Sequence, residues 1–242
     1  MLTRLGKVAH ENDSLYVIHL SENEAEVNTC KERYSCSPVE HLEQLDLLGS
    51  NTLAAHCVML TDAEIALMAK RNASVSHCIE SNMKLASGAA PVTAMLNAGV
   101  TVGIGTDGAA SNNDVDMFAE MDSVAKMQKV ITMDSTAMNA EQTLHAATLG
   151  GAETLAANND IGSLEPGKKA DLIVLDMNQP HLTPLYNIPS HLVYAARGAD
   201  VVHSIIDGKV VMESRKLLTL DEERLLADMR KMGEKIASHG KD

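Results

Sequence analysis

The chain has 242 residues, 45% of them hydrophobic and 22% charged, which is typical of a chain that folds around one large core or two modest ones. A formal net charge of -13 and an aromatic content of 2% argue against nucleic acid and anionic membranes as partners, because binding to both depends on basic patches. Four cysteines without a CxxC pair, and no apolar run of membrane or leader type, favour a reduced, cytoplasmic location.

Strand-like and helical patterns alternate along the first part of the chain. Strands are predicted at residues 15–20, 52–57, 73–78 and 100–107, and helices at residues 38–48, 61–71, 91–97 and 115–130. Two helix starts carry local signals, because Ser37 precedes Pro38 and Thr61 to Glu64 form a capping-box pattern. The alternation is typical of parallel βαβ units, so the sequence predicts an α/β fold.

The composition changes after a helical stretch at residues 140–157. Residues 162–167 form a turn-rich hinge, and strand patterns follow at residues 170–176, 201–206 and 209–212, with Asp207-Gly208 as a hairpin turn. Residues 220–237 have the apolar spacing of an amphipathic helix. These changes predict an α/β part at residues 1–160, a small β extension at 161–219 and a C-terminal helix at 220–242.

Side chains suited to metal binding or proton transfer end three of the predicted strands, namely His19, His56 and Asp107. Inward-facing residues at the carboxyl ends of parallel strands form the active sites of barrels, and imidazole and carboxylate groups are good ligands for Zn²⁺ and related cations. We therefore expect these three residues to meet on the inner face of the sheet as a metal site.

Glu22 follows His19 by three residues, just past the end of the first predicted strand. A carboxylate at this place can take a proton from water and deliver it to a leaving group. The nearby Glu24 and Glu26 are interpreted as solvated loop acids.

The third strand fits this scheme less well. Ser74 and Ser76 make one of its faces more polar than a helix-covered surface should be. His77, on its other face, is either a supporting residue of the site or purely structural.

Four runs of residues resemble the amidohydrolase superfamily, and within it the 5'-methylthioadenosine/S-adenosylhomocysteine deaminases. They are Ile18 to Glu22, Ala54 to Val58, Ser76 to Gly88 and Gly105 to Asn113. A fifth run, Gly162 to Leu172, resembles the β-sandwich segment that follows the barrel in this family. The resemblance covers nearly all of this chain but only the C-terminal half of a family member.

The fold that the resemblance implies is the C-terminal half of a (β/α)8 TIM-type barrel. It would consist of strands five to eight, part of a composite β-sandwich and a C-terminal helix. An isolated half barrel exposes strand edges that natural proteins cover or avoid, so a homo-oligomer or a complementary N-terminal half is expected as partner.

The resemblance also implies roles for individual residues. His19 and Asp107 would bind Zn²⁺ or another divalent transition metal, and Glu22 would carry protons. His56 would orient the attacking water, although some relatives use this residue as a ligand, and Ser111 would contact the substrate. The implied reaction is hydrolytic deamination of an adenosine thioether, a nucleoside substrate, at C6 of the adenine ring.

Family members have an HxH pair after the first barrel strand, and this chain contains no such pair. One hypothesis is therefore a fragment or split product of a true deaminase, active only with its N-terminal half. A second is a non-catalytic remnant that associates with itself. A third keeps catalysis but changes the substrate, as in triazine chlorohydrolases or guanine deaminases.

Overall fold

The computed structural model describes residues 1–239, which form two β-sheets and the helices packed around them. The strands are β1 (Tyr16–Leu20), β2 (Thr52–His56), β3 (Ser74–His77), β4 (Val102–Ile104), β5 (Leu172–Leu175), β6 (Val201–Ile206), β7 (Lys209–Glu213) and β8 (Lys216–Leu217). The α-helices are α1 (Leu2–Glu11), α2 (Glu24–Tyr34), α3 (Pro38–Gln44), α4 (Asp62–Arg71), α5 (Ile79–Lys84), α6 (Val92–Asn97), α7 (Ala109–Asn112), α8 (Met117–Thr132), α9 (Ala140–Ala147), α10 (Leu149–Thr154), α11 (Ile188–Tyr194) and α12 (Glu222–His239).

The first sheet is parallel throughout and has the strand order β1-β2-β3-β4, which is also the order along the chain. Helices lie in each connection, as parallel pairing requires a crossover. The predicted α/β alternation is therefore confirmed. The strands are shorter than predicted, most of all at β4, because the chain leaves the sheet before the polar residues that follow it.

One face of this parallel sheet packs against helices and forms the hydrophobic core. Leu20 and Val75 point to this face and are 2% and 0% exposed. Met68 of α4 and Met95 of α6, both fully buried, belong to the same apolar cluster. Val17, on the opposite face of β1, is 61% exposed.

The opposite face of the parallel sheet also carries His19, which is exposed. The strand register aligns His19 with Ala55, Ala55 with Ser76, and Ser76 with Gly103. Residues aligned in register point to the same side of a sheet. The polar face of β3 is therefore the face of His19, opposite the face that forms the hydrophobic core, which explains the serines that did not fit.

The prediction that His56 shares its face with His19 is wrong. Register aligns His56 with Leu20, whose side chain faces the helices, and His56 is only 1% exposed. The backbone turns left-handed at His56 (φ 71°) and Cys57 (φ 51°), so β2 ends in a sharp bend. This bend, and not strand alternation, sets the direction of the His56 ring.

Both predicted helix-start signals are confirmed. Glu40 Oε2 accepts from the Ser37 amide at 2.8 Å, and Glu64 Oε2 accepts from the Thr61 amide at 2.7 Å, which closes a capping box in each case. The helix that begins at Pro38 ends at Gln44, four residues earlier than predicted, and Asp46 beyond it is left-handed (φ 57°).

Helix α10 packs closely against β4. A Cβ atom on Gly103 would lie 3.0 Å from the Gly151 Cα and 3.0 Å from the Thr154 Oγ1. Glycine at position 103 therefore allows the helix and the strand to approach.

The single helix predicted for residues 140–157 is instead two helices, because Thr148 leaves helical geometry (φ -124°, ψ -97°).

The second sheet is antiparallel, with the strand order β5-β6-β7-β8. The predicted hairpin is confirmed, since Ile206 pairs with Lys209 across Asp207 and Gly208, both at positive φ (50° and 73°). The predicted C-terminal helix is present as α12, and its final predicted residues 240–242 lie outside the described residues. Among residues 1–239, none of the helices is long and apolar enough to span a membrane.

Candidate metal-binding and proton-transfer site

His19, Glu22 and His56 come together at the carboxyl ends of β1 and β2. One ligand atom of each lies within 4.8 Å of the others. The two imidazole rings meet edge to face with centroids 5.0 Å apart, and His56 Nε2 is 4.0 Å from Glu22 Oε2. Three of the residues singled out from the sequence thus form one cluster.

The loop that carries Glu22 is held by a carboxylate that the sequence reading missed. Glu26 Oε1 accepts from the Ser21 amide at 2.9 Å, and Glu26 Oε2 accepts from the Glu22 amide at 2.8 Å. Ser21 is fully buried and left-handed (φ 50°), so this short turn is strained. The interpretation of Glu26 as a solvated loop acid is wrong, whereas Glu24 is exposed as expected.

Why Glu26 was missed follows from the helix that carries it. Helix α2 has no buried residue, so its sequence lacks the apolar stripe that marks a helix. The available signal was Asn23, which caps the start of the helix. Its side-chain oxygen accepts a hydrogen bond from the Glu26 amide at 3.0 Å. An Asn followed three residues later by Glu is a helix-start pattern that positions Glu26 in the first turn.

His56 is oriented by Asn82, at the centre of α5. His56 Nδ1 donates to Asn82 Oδ1 at 2.9 Å, because the amide oxygen can only accept. With Nδ1 as the donor to Asn82, Nε2 is the ring nitrogen that faces Glu22. Asn82 itself is fully buried, and nothing in the motif-based prediction had assigned it a role.

Asp107 lies outside this three-residue cluster and has its own set of donors. Oδ2 accepts from the hydroxyls of Ser81 and Ser111, both at 2.7 Å, and Oδ1 accepts from the Gly108 amide at 2.7 Å. Partial burial opposes ionisation, but the bonds from Ser111, Ser81 and Gly108, with a smaller effect of His56, lower the pKa of Asp107 to about 2. The carboxylate is thus fixed in its charged form.

Ser111, predicted to contact substrate, uses its hydroxyl proton on Asp107. The oxygen of that hydroxyl still has lone pairs that can accept a hydrogen bond.

The Glu22 carboxylate is held at one of its oxygens, because Ser87 Oγ donates a hydrogen bond to Glu22 Oε1 at 3.2 Å.

His77 is fully buried beside His56 and faces the helix layer. Within residues 1–239 neither of its ring nitrogens has a partner of good hydrogen-bond geometry. Burial and the neighbouring His56 lower the pKa of His77 to about 4, against a smaller opposing effect of the His56 backbone. At neutral pH His77 is therefore an uncharged part of the wall behind His56.

Cysteine chemistry is unfavourable here. Cys57 and Cys78 stand directly after β2 and β3, next to the site. Burial raises the pKa of both thiols, that of Cys78 to about 12. Neither is a thiolate at neutral pH, so imidazole and carboxylate remain the ionisable groups suited to a divalent metal.

A parallel α/β sheet with imidazoles and carboxylates gathered past the carboxyl ends of its strands is the layout of the α/β barrel enzymes. The chain belongs to the amidohydrolase family, which it matches over residues 1–211.

Relatives within this family are close. The chain is 50% identical over 230 residues to a 5-methylthioadenosine/S-adenosylhomocysteine deaminase of Syntrophobacter fumaroxidans, covering 95% of this chain and 52% of the relative. It is 47% identical to a 5'-deoxyadenosine deaminase of Methanosarcina acetivorans, covering 98% of this chain and 54% of the relative. The chain thus spans about half the length of the curated relatives it matches.

Solved structures agree with this picture. A zinc-bound adenosine deaminase from Xanthomonas campestris superposes with a TM-score of 0.96 at 40% identity, over 98% of this chain and 54% of that one. The zinc complex of atrazine chlorohydrolase from Arthrobacter aurescens superposes with a TM-score of 0.88 at 23% identity, over 95% of this chain and 51% of that one, and shares the fold alone.

Proposed function

We propose that this chain is the C-terminal half of a metal-dependent hydrolytic deaminase acting on adenosine thioethers such as 5'-methylthioadenosine and S-adenosylhomocysteine. The observation that carries the proposal is the convergence of His19, Glu22 and His56 within 4.8 Å. The names of the relatives with which this chain shares about half of its own residues support the substrate class.

In this proposal β1 to β4 are strands five to eight of a (β/α)8 barrel. The exposed Val17 and His19 support it, because the face that carries them would line the interior of a closed barrel. The division at residues 160 and 219, with the second sheet as part of a β-sandwich, and the cytoplasmic location stay predictions.

The residues present fit a divalent transition metal such as zinc. His19 and Asp107 would hold it, and the free Nε2 of His56 is available as a further ligand or as an acceptor facing water. When bound, the metal would supply Lewis-acid activation of water for attack at C6 of adenine. An ionised Asp107, fixed by Ser81 and Ser111, is suited to binding a cation.

Glu22 would carry the protons. Its Oε2 stands 4.0 Å from His56 Nε2, and its Oε1 is anchored by Ser87, so one oxygen is fixed and the other faces the site. Glu22 would take one proton from the attacking water and deliver it to a ring nitrogen, and would then carry the second proton, from the hydroxyl group now on C6, to the departing amine. Ser111 would accept a hydrogen bond from the substrate.

The experiment is reconstitution. This chain is mixed with zinc, S-adenosylhomocysteine and the N-terminal half of the Syntrophobacter fumaroxidans deaminase, and the adenine absorbance band is followed. We expect no turnover by the chain alone and turnover by the mixture. Glu22→Gln should lower the rate by about 100-fold or more, whereas Glu24→Gln, an exposed neighbour, should leave it unchanged. A mixture that forms a complex but deaminates nothing contradicts the proposal.

A second candidate, a non-catalytic chain that associates with itself, is favoured by apolar side chains that nothing covers within residues 1–239. Val17 of β1 is 61% exposed, and Leu225 and Ile236 of α12 are 46% and 67% exposed. Sedimentation of the chain alone and with the N-terminal half separates the two candidates. A homo-oligomer that excludes the N-terminal half supports the second candidate, and a one-to-one complex supports the first.

Atrazine and guanine, used in place of S-adenosylhomocysteine in the reconstitution assay, test for the other substrate classes.

A further inference from the structure

Glu120 of α8 is a buried carboxyl group that the proposed chemistry does not use. It is 0% exposed and lies on a helix behind the site. Oε1 accepts from Asn112 Nδ2 at 2.8 Å, and Oε2 accepts from the Glu80 amide at 3.4 Å. Burying a carboxyl group is costly, so its retention at this place needs a reason.

Each hydrogen-bond partner of Glu120 is next in the chain to a serine that contacts Asp107. Glu80 is the chain neighbour of Ser81, and Asn112 is the chain neighbour of Ser111. These two serines are the hydroxyls that donate to Asp107 Oδ2 at 2.7 Å. One carboxyl group therefore contacts the two short helices, α5 and α7, that deliver the donors of Asp107.

Neither short helix is well fixed by its own sequence. Helix α5 has six residues and no side-chain cap at its start, and α7 has four residues and likewise lacks a side-chain cap. Helices this short are not stable alone, and an uncapped first turn leaves amides in need of acceptors. Glu120 supplies the acceptor for α5 and, through Asn112, an anchor for α7.

The α7 anchor extends further. Asn112 Oδ1 accepts from the Val115 amide at 2.6 Å, so its side chain joins α7, the loop before α8 and Glu120. Lys84 of α5 also reaches α7, by donating to the carbonyl oxygen of Ala110 at 2.8 Å. Lys84 is exposed, however, and an exposed contact gives weaker positional control than a buried one.

We propose that Glu120 is a positioning residue that sets the spacing of Ser81 and Ser111 and thereby the orientation of Asp107. This inference rests on the proposed function only where metal binding is the readout. Burial, with the nearby carboxylates of Glu80 and Asp114, raises the pKa of Glu120 to about 8, against the Glu80 amide. Glu120→Gln is likewise uncharged at pH 7, but its carboxamide has one acceptor oxygen and can hold only one of the two N–H donors.

The test uses the 242-residue chain in four forms: wild type, Glu120→Ala, Glu120→Gln and the control Glu141→Gln, which removes an exposed glutamate from α9. Hydrogen exchange is measured at residues 79–84 and 109–112, without metal. We expect Glu120→Ala to accelerate exchange in both segments by about tenfold, Glu120→Gln to accelerate it in one segment only, and Glu141→Gln to remain near wild type. Unchanged exchange in Glu120→Ala overturns the proposal.

Zinc affinity, measured by competition with a chromophoric chelator, is the second readout. We expect Glu120→Ala to weaken zinc binding by about 10-fold or more and Glu120→Gln, which keeps one of the two hydrogen bonds, to weaken it less. A general packing role would be equally served by a residue of similar volume, so Glu120→Leu must fail to restore affinity. If Glu120→Leu binds zinc as well as wild type, the positioning role is wrong.

A further variant covers the case in which Glu120→Ala does not fold. Asn112→Ala removes one contact of Glu120, and we expect faster exchange at residues 109–112 with residues 79–84 unchanged. Exchange that is accelerated to the same extent at residues 79–84 and 109–112 overturns the proposal. A chain that binds no zinc but shows these exchange patterns contradicts the metal-site proposal alone, so the two failures are distinguishable.

Discussion

At the scale of single residues, the site combines strain with incomplete hydrogen bonding. Ser21 is left-handed (φ 50°), and its buried hydroxyl has no hydrogen-bond partner within residues 1–239. Asp107 and His56 are left-handed as well. Residues held in this way are typical of functional sites, where local stability is given up for geometry.

We expect Ser21→Gly to stabilise the chain by about 1 kcal/mol, because glycine tolerates positive φ and removes the unpaired hydroxyl. The measurement is the free energy of unfolding in urea. Ser204→Gly, in the extended backbone of β6, is the control and should destabilise. A destabilised Ser21→Gly variant would mean that the hydroxyl has a bound partner.

Glu26→Gln should release one of the two amides that Glu26 holds, because a carboxamide has a single acceptor oxygen. We expect an upfield amide proton shift at Ser21 or Glu22, and a loss of about tenfold in the rate of the reconstituted enzyme. Glu24→Gln, in the same helical turn but exposed, should change neither quantity. Unchanged amide shifts in Glu26→Gln would contradict the assigned hydrogen bonds.

The sequence predicted His19, Glu22 and His56 as site residues because each belongs to a recognisable motif, and the structure brings them together. It assigned no role to Glu26 or Glu120, although Asn23 signals the helix start that places Glu26 in the first turn. Both carboxyl groups accept hydrogen bonds from backbone amides of other segments. Every residue except proline has such an amide, so these contacts leave no recognisable pattern of residue types.

At the scale of elements, order and type were predictable, whereas faces and ends were not. The strand order follows from alternating patterns, but the face of His56 depends on a left-handed bend that non-glycine residues rarely adopt. Helices α5 and α7 are too short to show periodicity, and α2 lacks a buried side.

Gly103→Ala tests the close packing of α10 on β4. The added Cβ would lie 3.0 Å from the Gly151 Cα, a backbone atom that cannot rotate away. We expect a loss of about 1–3 kcal/mol in the free energy of unfolding, measured in urea. Gly49→Ala is the matched control, since its Cβ would meet only Asn51 Oδ1 at 3.6 Å. Equal effects of the two substitutions would disprove the tight contact.

At the scale of the whole molecule, two carboxyl groups give the stability opposite dependences on pH. The pKa of Glu120 is raised from 4.5 to about 8, so the folded state holds a proton that the unfolded chain releases, and stability falls as pH rises from 4.5 to 8. The pKa of Asp107 is lowered from 3.8 to about 2, so its contribution is lost as pH falls through that range.

Glu120→Gln should therefore flatten the alkaline side of the stability profile. We expect the difference in slope between wild type and Glu120→Gln to approach about 1.4 kcal/mol per pH unit between pH 5 and pH 8. Urea unfolding at a series of pH values measures it, with Glu141→Gln as the control. Parallel profiles for wild type and Glu120→Gln would show that Glu120 titrates normally.

The strand order β1-β2-β3-β4 has a consequence for how the molecule is made. Each strand pairs with the one that precedes it, but the partners lie far apart along the chain, as Tyr16 and Thr52 do, and parallel pairings of this kind form slowly. The sheet can grow by one strand and its helix at a time as the chain leaves the ribosome. The newest strand presents the growing edge at each step, and among residues 1–239 β1 has β2 as its strand partner.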